Sequence, residues 1–203
     1  MKKNPAIGVV EFSDIPTGMV ATDAMLKRAP IALIRSGTIT AGRYLTLIGG
    51  TPASVDESLR AGLLVGGEYV LDHVFLADVH AQLYEGMLGA RRTAGAGSFA
   101  VLETETVAAN VRAVERALKA TNVELVEIRL GDQGLAGKGV SILRGELHDV
   151  EAAVALATAE LAEVGSELST QIVSAPHDRL GQLLGAGTTF ASGPVLELDG
   201  ESS

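Results

Sequence analysis

Four histidines, His73, His80, His148 and His177, are the side chains best suited to move protons or bind a metal near neutral pH. Their separations fit no metal-ligand spacing, and no serine and aspartate stand with them in an order that defines a catalytic triad. The chain has no cysteine, which excludes disulfides, thiolate metal sites and cysteine-ligated clusters. Gly95-Ala96-Gly97-Ser98-Phe99-Ala100 has the glycine spacing of a dinucleotide loop, but it precedes a strand instead of joining a strand to a helix. Gly137-Lys138 lacks the earlier glycine and the following hydroxyl of a phosphate-binding loop. What remains are two glycine-bearing loops, Gly37-Thr38-Ile39-Thr40-Ala41-Gly42 and Gly131-Asp132-Gln133-Gly134-Leu135-Ala136-Gly137. Their backbone N–H groups can meet a small polar solute, because glycine lets a backbone approach closely. No activated nucleophile or paired acid and base stands out, so the expectation is a protein that is not an enzyme.

Bulk properties narrow the partners. A net charge of −9, with no run of basic residues longer than two, argues against nucleic acid, which needs concentrated positive charge. Arg91-Arg92 is the densest basic spot and reads as a solvated loop. Met1-Lys2-Lys3-Asn4-Pro5 is basic but leads into no signal-peptide core, and no apolar run has the length of a membrane span. A cytoplasmic protein without a membrane partner is expected. Aromatics are only 3% of the residues, so the core must come from small aliphatic side chains that bury little area each. Oligomerisation would supply the remaining burial.

The elements that carry the two loops occur twice. Ile7-Gly8-Val9-Val10-Glu11 returns as Phe99-Ala100-Val101-Leu102-Glu103, and Met25-Leu26-Lys27 as Ala117-Leu118-Lys119, both at an offset of 92. Gly42-Arg43 and Gly50 return as Gly137-Lys138 and Gly145 at an offset of 95, and His80 returns as His177 at 97. Such drift belongs in loops and at helix ends, where insertions are tolerated. Each copy reads as a strand (6–12, 98–104), a helix, two strands (31–36 and 43–49; 123–130 and 139–144), a second helix, a fourth strand (69–76, 168–174) and a short helix. In the second copy Val107, Val111, Val114 and Leu118 form one helical stripe; the matching Ile15, Met19, Thr22 and Leu26 form a weaker one. Thr51 is placed to cap a helix with Pro52 at its first position; the partner helix is expected at 149–164.

The predicted fold class is therefore α+β, an α/β sandwich of two tandem ferredoxin-like β-α-β-β-α-β domains in unpermuted order. The expected layout is a first domain over 1–89, a Gly/Ala-rich linker over 90–97, a second domain over 98–184 and a flexible tail over 185–203. One short strand is expected in that tail at Pro194–Leu198.

Ile7-Gly8-Val9-Val10-Glu11, Ala24-Met25-Leu26-Lys27, Gly42-Arg43-Tyr44-Leu45-Thr46-Leu47-Ile48-Gly49-Gly50, Ala117-Leu118-Lys119 and Leu143-Arg144-Gly145-Glu146-Leu147-His148-Asp149-Val150 resemble the bacterial microcompartment (BMC) shell domain. The resemblance covers about residues 5–184, and the tandem arrangement is most like the trimeric members from propanediol-utilisation compartments. It implies a homotrimer that imitates a hexamer, tiles edge to edge with shell hexamers and pentamers, and encloses cargo enzymes within a cytoplasmic shell. It implies a central pore lined by both glycine-bearing loops, and tile-edge contacts by Lys27, Lys119, His80 and His177. The chain departs from the family at the turn after the fourth strand. Single-domain members often carry Arg-Pro-His there, whereas this sequence has Asp78-Val79-His80 and Ala175-Pro176-His177. Similar tandem members hold an iron–sulfur cluster on a pore-loop cysteine; here that position is Thr40, a poor iron ligand. The expectation is no cofactor, no metal, and a pore for small polar metabolites. The alternative is a trimeric small-molecule-binding regulator, since ferredoxin-like repeats also serve that purpose.

Overall fold

The computed structural model describes residues 5–92 and 97–192. Residues 93–96 of the expected linker, the basic residues 1–4, and 193–203, with the expected strand at Pro194–Leu198, lie outside the described residues. Unit one runs β1 (Ala6–Phe12), α1 (Ile15–Arg28), β2 (Ala32–Ile39), β3 (Arg43–Gly50), α2 (Pro52–Gly66), β4 (Val70–Leu76) and α3 (Ala81–Met87). Unit two repeats this as β5 (Ser98–Thr104), α4 (Val107–Ala120), β6 (Glu124–Leu130), β7 (Gly139–Gly145), α5 (Leu147–Glu163), β8 (Ser169–Val173) and α6 (Asp178–Ala186). The sheets are antiparallel with matching orders, β2-β3-β1-β4 and β6-β7-β5-β8. Even their irregularities coincide: pairing slips between Leu33 and Arg35 in one sheet and between Leu125 and Glu127 in the other. The predicted α+β tandem fold is the observed one.

Local chemistry starts the helices. Asp14 accepts from the Thr17 amide at 2.8 Å, with Pro16 in the first turn, and Thr51 accepts from Ser54 with Pro52 leading α2. Thr106 caps α4 in the same way. Each cap satisfies an amide that the helix itself leaves unpaired.

Strand alternation divides sheet one into two faces. Ala6, Val10, Phe12, Tyr44 and Ile48 pack on Ala21 and Met25 of α1 and on Val55 and Leu59 of α2. Ile7, Val9, Leu45, Leu47 and Val74 point the other way and join Leu83 and Met87 of α3. The buried face of α1 is Gly18, Ala21, Thr22 and Met25. It is rotated from the expected stripe, which leaves Met19 and Leu26 exposed. The reason is close approach: a Cβ at Gly18 would lie 2.6 Å from the Tyr44 ring, so this small residue must face the sheet.

The two units share one core. The buried cluster containing Val9, Val74 and Leu83 of unit one runs on into Val107, Val111, Val114 and Leu125 of unit two. Helix α3 makes the joint. Its Gly86 lets Leu125 and Ile128 of β6 approach, and the Gln82 side-chain oxygen accepts from the Leu125 amide at 2.9 Å. Helix α4 packs against β4 and is buried over most of its surface, whereas its counterpart α1 is covered on one side only.

Candidate functional site

The two glycine-bearing loops meet. In copy one the expected loop is shorter than its sequence suggested. Gly37, Thr38 and Ile39 belong to β2, with Thr38 opposite Tyr44 and Ile39 opposite Arg43. Only Thr40, Ala41 and Gly42 turn, with φ of 64° at Ala41 and 70° at Gly42. Copy two turns more widely through Gly131 to Gly137, with positive φ at Gly131, Gly134, Ala136 and Gly137.

Thr40 locks the loops together. Its amide donates to the Gly131 carbonyl at 2.9 Å, and its hydroxyl lies 2.7 Å from that oxygen and 3.1 Å from the Asp132 carbonyl. The Gly137 amide donates back to the Thr40 hydroxyl at 2.9 Å. The position read as a vacant iron-ligand site is thus a fastener between loops. The Asp132 carboxylate accepts from Arg129 Nε at 2.9 and 3.2 Å, and Arg129 also donates to the Gln133 carbonyl at 2.7 Å. Its charge is therefore compensated where it stands.

Behind the loops a buried carboxylate ties the units. Glu11 is fully buried and accepts from Arg43 Nη1 at 2.8 Å. Arg43 also donates to the carbonyls of Glu105 and Gly137. Burial pushes the Glu11 carboxyl above its ordinary range, partly offset by the bonds from Arg43 and the Val107 amide. The repeat-related pair is Lys138 and Glu103, 2.7 Å apart. Hydrogen bonding to Glu103 holds the half-buried Lys138 ammonium above its usual pKa. Sequence reasoning missed this joint, although an acid and a base recurring together at Glu11/Arg43 and Glu103/Lys138 was a readable signal.

The expected edge residues sit at equivalent places with different partners. Lys27 pairs with Asp23 at 2.5 Å, both exposed. Lys119 pairs with Glu115 at 2.6 Å and donates to the Asp78 carbonyl of unit one, also at 2.6 Å. His80 and His177 cap α3 and α6: their Nδ1 atoms accept from the amides of Gln82 and Arg179. The His80 amide donates to Glu115 at 2.9 Å, across the junction between units. Arg91 and Arg92 are not a solvated loop. Arg91 pairs with Glu127, Arg92 pairs with Glu85 at 2.7 Å, and the Arg92 amide donates to the Val126 carbonyl. The Arg91 charge and the Arg92 amide pin the exit of unit one to β6, a contact between distant residues that composition could not reveal. Among the described residues no three metal-ligating side chains cluster, and no helix is long and apolar enough to cross a membrane.

Comparison with known proteins gives a consistent result. The BMC domain model matches residues 6–79 and again 98–176. The bacterial microcompartment shell protein PduT of Citrobacter freundii is 33% identical over 175 residues, spanning 86% of this chain and 95% of that protein. The carboxysome shell protein CcmK2 of Synechococcus elongatus is 35% identical over 83 residues, 38% of this chain and 80% of its own. A solved microcompartment protein from Desulfitobacterium hafniense superposes with a TM-score of 0.76 at 33% identity, covering 88% of this chain and 99% of that one. A fused permuted hexameric shell protein of the RMM microcompartment superposes at 0.59 with 20% identity, covering 79% and 85%, a likeness of fold.

Proposed function

This chain belongs to the BMC domain family of bacterial microcompartment shell proteins, and on that premise we propose that three copies close into a flat pseudohexameric ring with a central pore. The domains, 1–89 and 98–184, each act as one sixth of the ring. The ring tiles edge to edge with shell hexamers and pentamers in the cytoplasm, with cargo enzymes on one side. The relatives named above are shell proteins, which favours a structural role over a catalytic one and gives the regulatory alternative no support.

The observation that carries this reading is the head-to-tail joint within the chain. Unit one presents β4 and α3; unit two receives them with α4 and β6. The same two half-surfaces recur at the ends of the chain, as β8 and α6 and as α1 and β2, and among the described residues no second unit covers them. Repeating the joint between copies pairs them, and a heterologous contact that closes generates a ring. Residue types agree with that pairing. Glu115 accepts from the His80 amide within the chain. At the repeat-equivalent positions, Asp23 of one copy would accept from the His177 amide of another. The Thr106 hydroxyl bonds to the Asp72 carboxylate. At the equivalent places stand Asp14 and Ser169, the same pair with acid and hydroxyl exchanged.

In such a ring the turn Thr40–Gly42 and the loop Gly131–Gly137 alternate three times around the axis. Gly37, Thr38 and Ile39 lead into it along β2. With Asp132 held by Arg129, the lining is mostly backbone amides and carbonyls, suited to small polar solutes. Lys27, Lys119, His80 and His177 then lie toward the tile edge. Native mass spectrometry with negative-stain imaging tests the reading. A mass near three times the 20.9 kDa chain, with flat hexagonal discs, is expected; a monomer without discs would overturn it.

A further inference from the structure

The outer face of sheet one is incompletely covered. Leu45, Leu47 and Met87 form the apolar wall of a cavity of about 680 Å³ between β2, α3 and β6. That volume lies within the roughly 300–1,000 Å³ of small-molecule sites, which combine apolar walls with a few convergent polar groups. Small residues make the room. Gly37 faces the cavity, and a Cβ there would meet nothing within 4 Å; the same holds at Gly89, just past the short helix α3. In unit two Leu184, the counterpart of Met87, packs on the corresponding cluster of Phe99, Val126 and Ile142, and there Thr188 adds a bond to Glu127 at 3.0 Å.

Charge around the cavity is unbalanced. Five charged side chains line it: Arg35, Arg91, Arg129, Glu127 and Asp132. Arg91 pairs with Glu127 and Arg129 pairs with Asp132. Arg35 is left, exposed at the edge strand and joined to no carboxylate among the described residues. Its register partner is Leu47, and the equivalent place in sheet two, opposite Ile142, holds Glu127. Where one unit has a paired acid, the other has a free guanidinium above an apolar floor.

We propose that this cavity binds a small amphiphilic monoanion, an aliphatic carboxylate whose head group bonds to Arg35 and whose chain lies on Leu45, Leu47 and Met87. A guanidinium matches a carboxylate with two parallel donors, and one positive charge left over matches one negative charge brought in. The site is built within a single chain and opens on the proposed pore, since Thr38, Ile39, Thr40, Asp132 and Gln133 also line it; Arg35 stands on β2, the strand the proposed ring sets near another copy, so the inference rests on that reading.

The probe is pentanoate, with 1-pentanol as its uncharged counterpart, each titrated against the full chain by saturation-transfer NMR. Saturable pentanoate binding is expected, roughly tenfold or more tighter than pentanol, since a charge-assisted bond is at stake. Arg35→Gln should weaken pentanoate by a similar factor and leave pentanol unchanged. Gly37→Val should weaken both: its φ lies outside the left-handed region and valine suits a strand, so the variant narrows the cavity and still folds. Absence of saturable pentanoate binding, or binding that Arg35→Gln does not weaken, overturns the proposal. Native mass and thermal transition of each variant separate loss of the site from loss of the ring or the fold.

Discussion

The Val107 amide at the start of α4 donates to Glu11 Oε2 of β1 at 2.8 Å, across 96 residues of sequence. A carboxylate of one unit thereby caps the first helix of the other, where unpaired amides and the helix dipole favour negative charge. Arg43 takes the remaining oxygen at 2.8 Å.

Glu11 gives the chain a pH signature opposite to that of an ordinary ion-paired acid. Its folded carboxyl is raised above 4.5, chiefly by burial. In the window between the unfolded and folded values the native state binds the extra proton, so the contribution of Glu11 to stability falls as pH rises. It is fullest below the ordinary carboxylate range and is lost through the raised folded value. Glu11→Gln does not titrate there. Denaturant unfolding from about pH 4 to pH 8 should show wild type losing ground to Glu11→Gln as pH rises, then running parallel. A gap that moves in wild type's favour with rising pH would contradict the burial argument.

Thr40 fastens the two loops by its hydroxyl, which accepts from Gly137 and donates toward Gly131 and Asp132. Thr40→Ala should cost about 1–2 kcal/mol, and Thr40→Ser much less because the hydroxyl survives. Hydrogen exchange at the Gly137 amide checks the mechanism: protection should drop in the alanine variant and persist in the serine one.

Two glycines should respond in opposite ways. Gly18→Ala places a methyl against the Tyr44 ring and its Cβ, at 2.6–2.7 Å. Overpacking should destabilise by about 1–3 kcal/mol. Gly37→Ala enters open space on a strand and should be neutral or slightly stabilising. Thermal unfolding of both variants reads the contrast.

These residues also mark how far the sequence could be read. Both sheets were legible because the repeat exposes them twice, and Thr51-Pro52 announces α2 by local chemistry alone. The short range of that evidence explains the errors. The face of α1 depends on Gly18 meeting Tyr44, and the fate of Arg91 depends on Glu127, contacts that no helical or strand period encodes. Thr40 was visible as a loop residue, but its partners lie 91 to 97 positions away. The cavity beside Arg35 escaped for the same reason, since its walls come from four separate segments.

The exposed side of α1 supplies the sharpest test of ring closure. Val111 of α4 is fully buried in the core the units share, and Arg112 donates to the His73 carbonyl of unit one. The equivalents on α1 are Met19 and Val20, which are 53% and 60% exposed in the single chain. Two neighbouring apolar side chains on a helix surface fit burial against another copy. If α1 receives β8 and α6 as α4 receives β4 and α3, Met19 becomes buried on association. Met19→Asp then places an unpaired carboxylate in each of three equivalent contacts, at a cost of several kcal/mol apiece. Native mass should fall from three chains to one, while the thermal transition of the monomer persists because the change lies outside the α1 core of Ala21 and Met25. A Met19→Asp variant that keeps the mass of three chains would place the contact elsewhere and sink the proposed ring geometry.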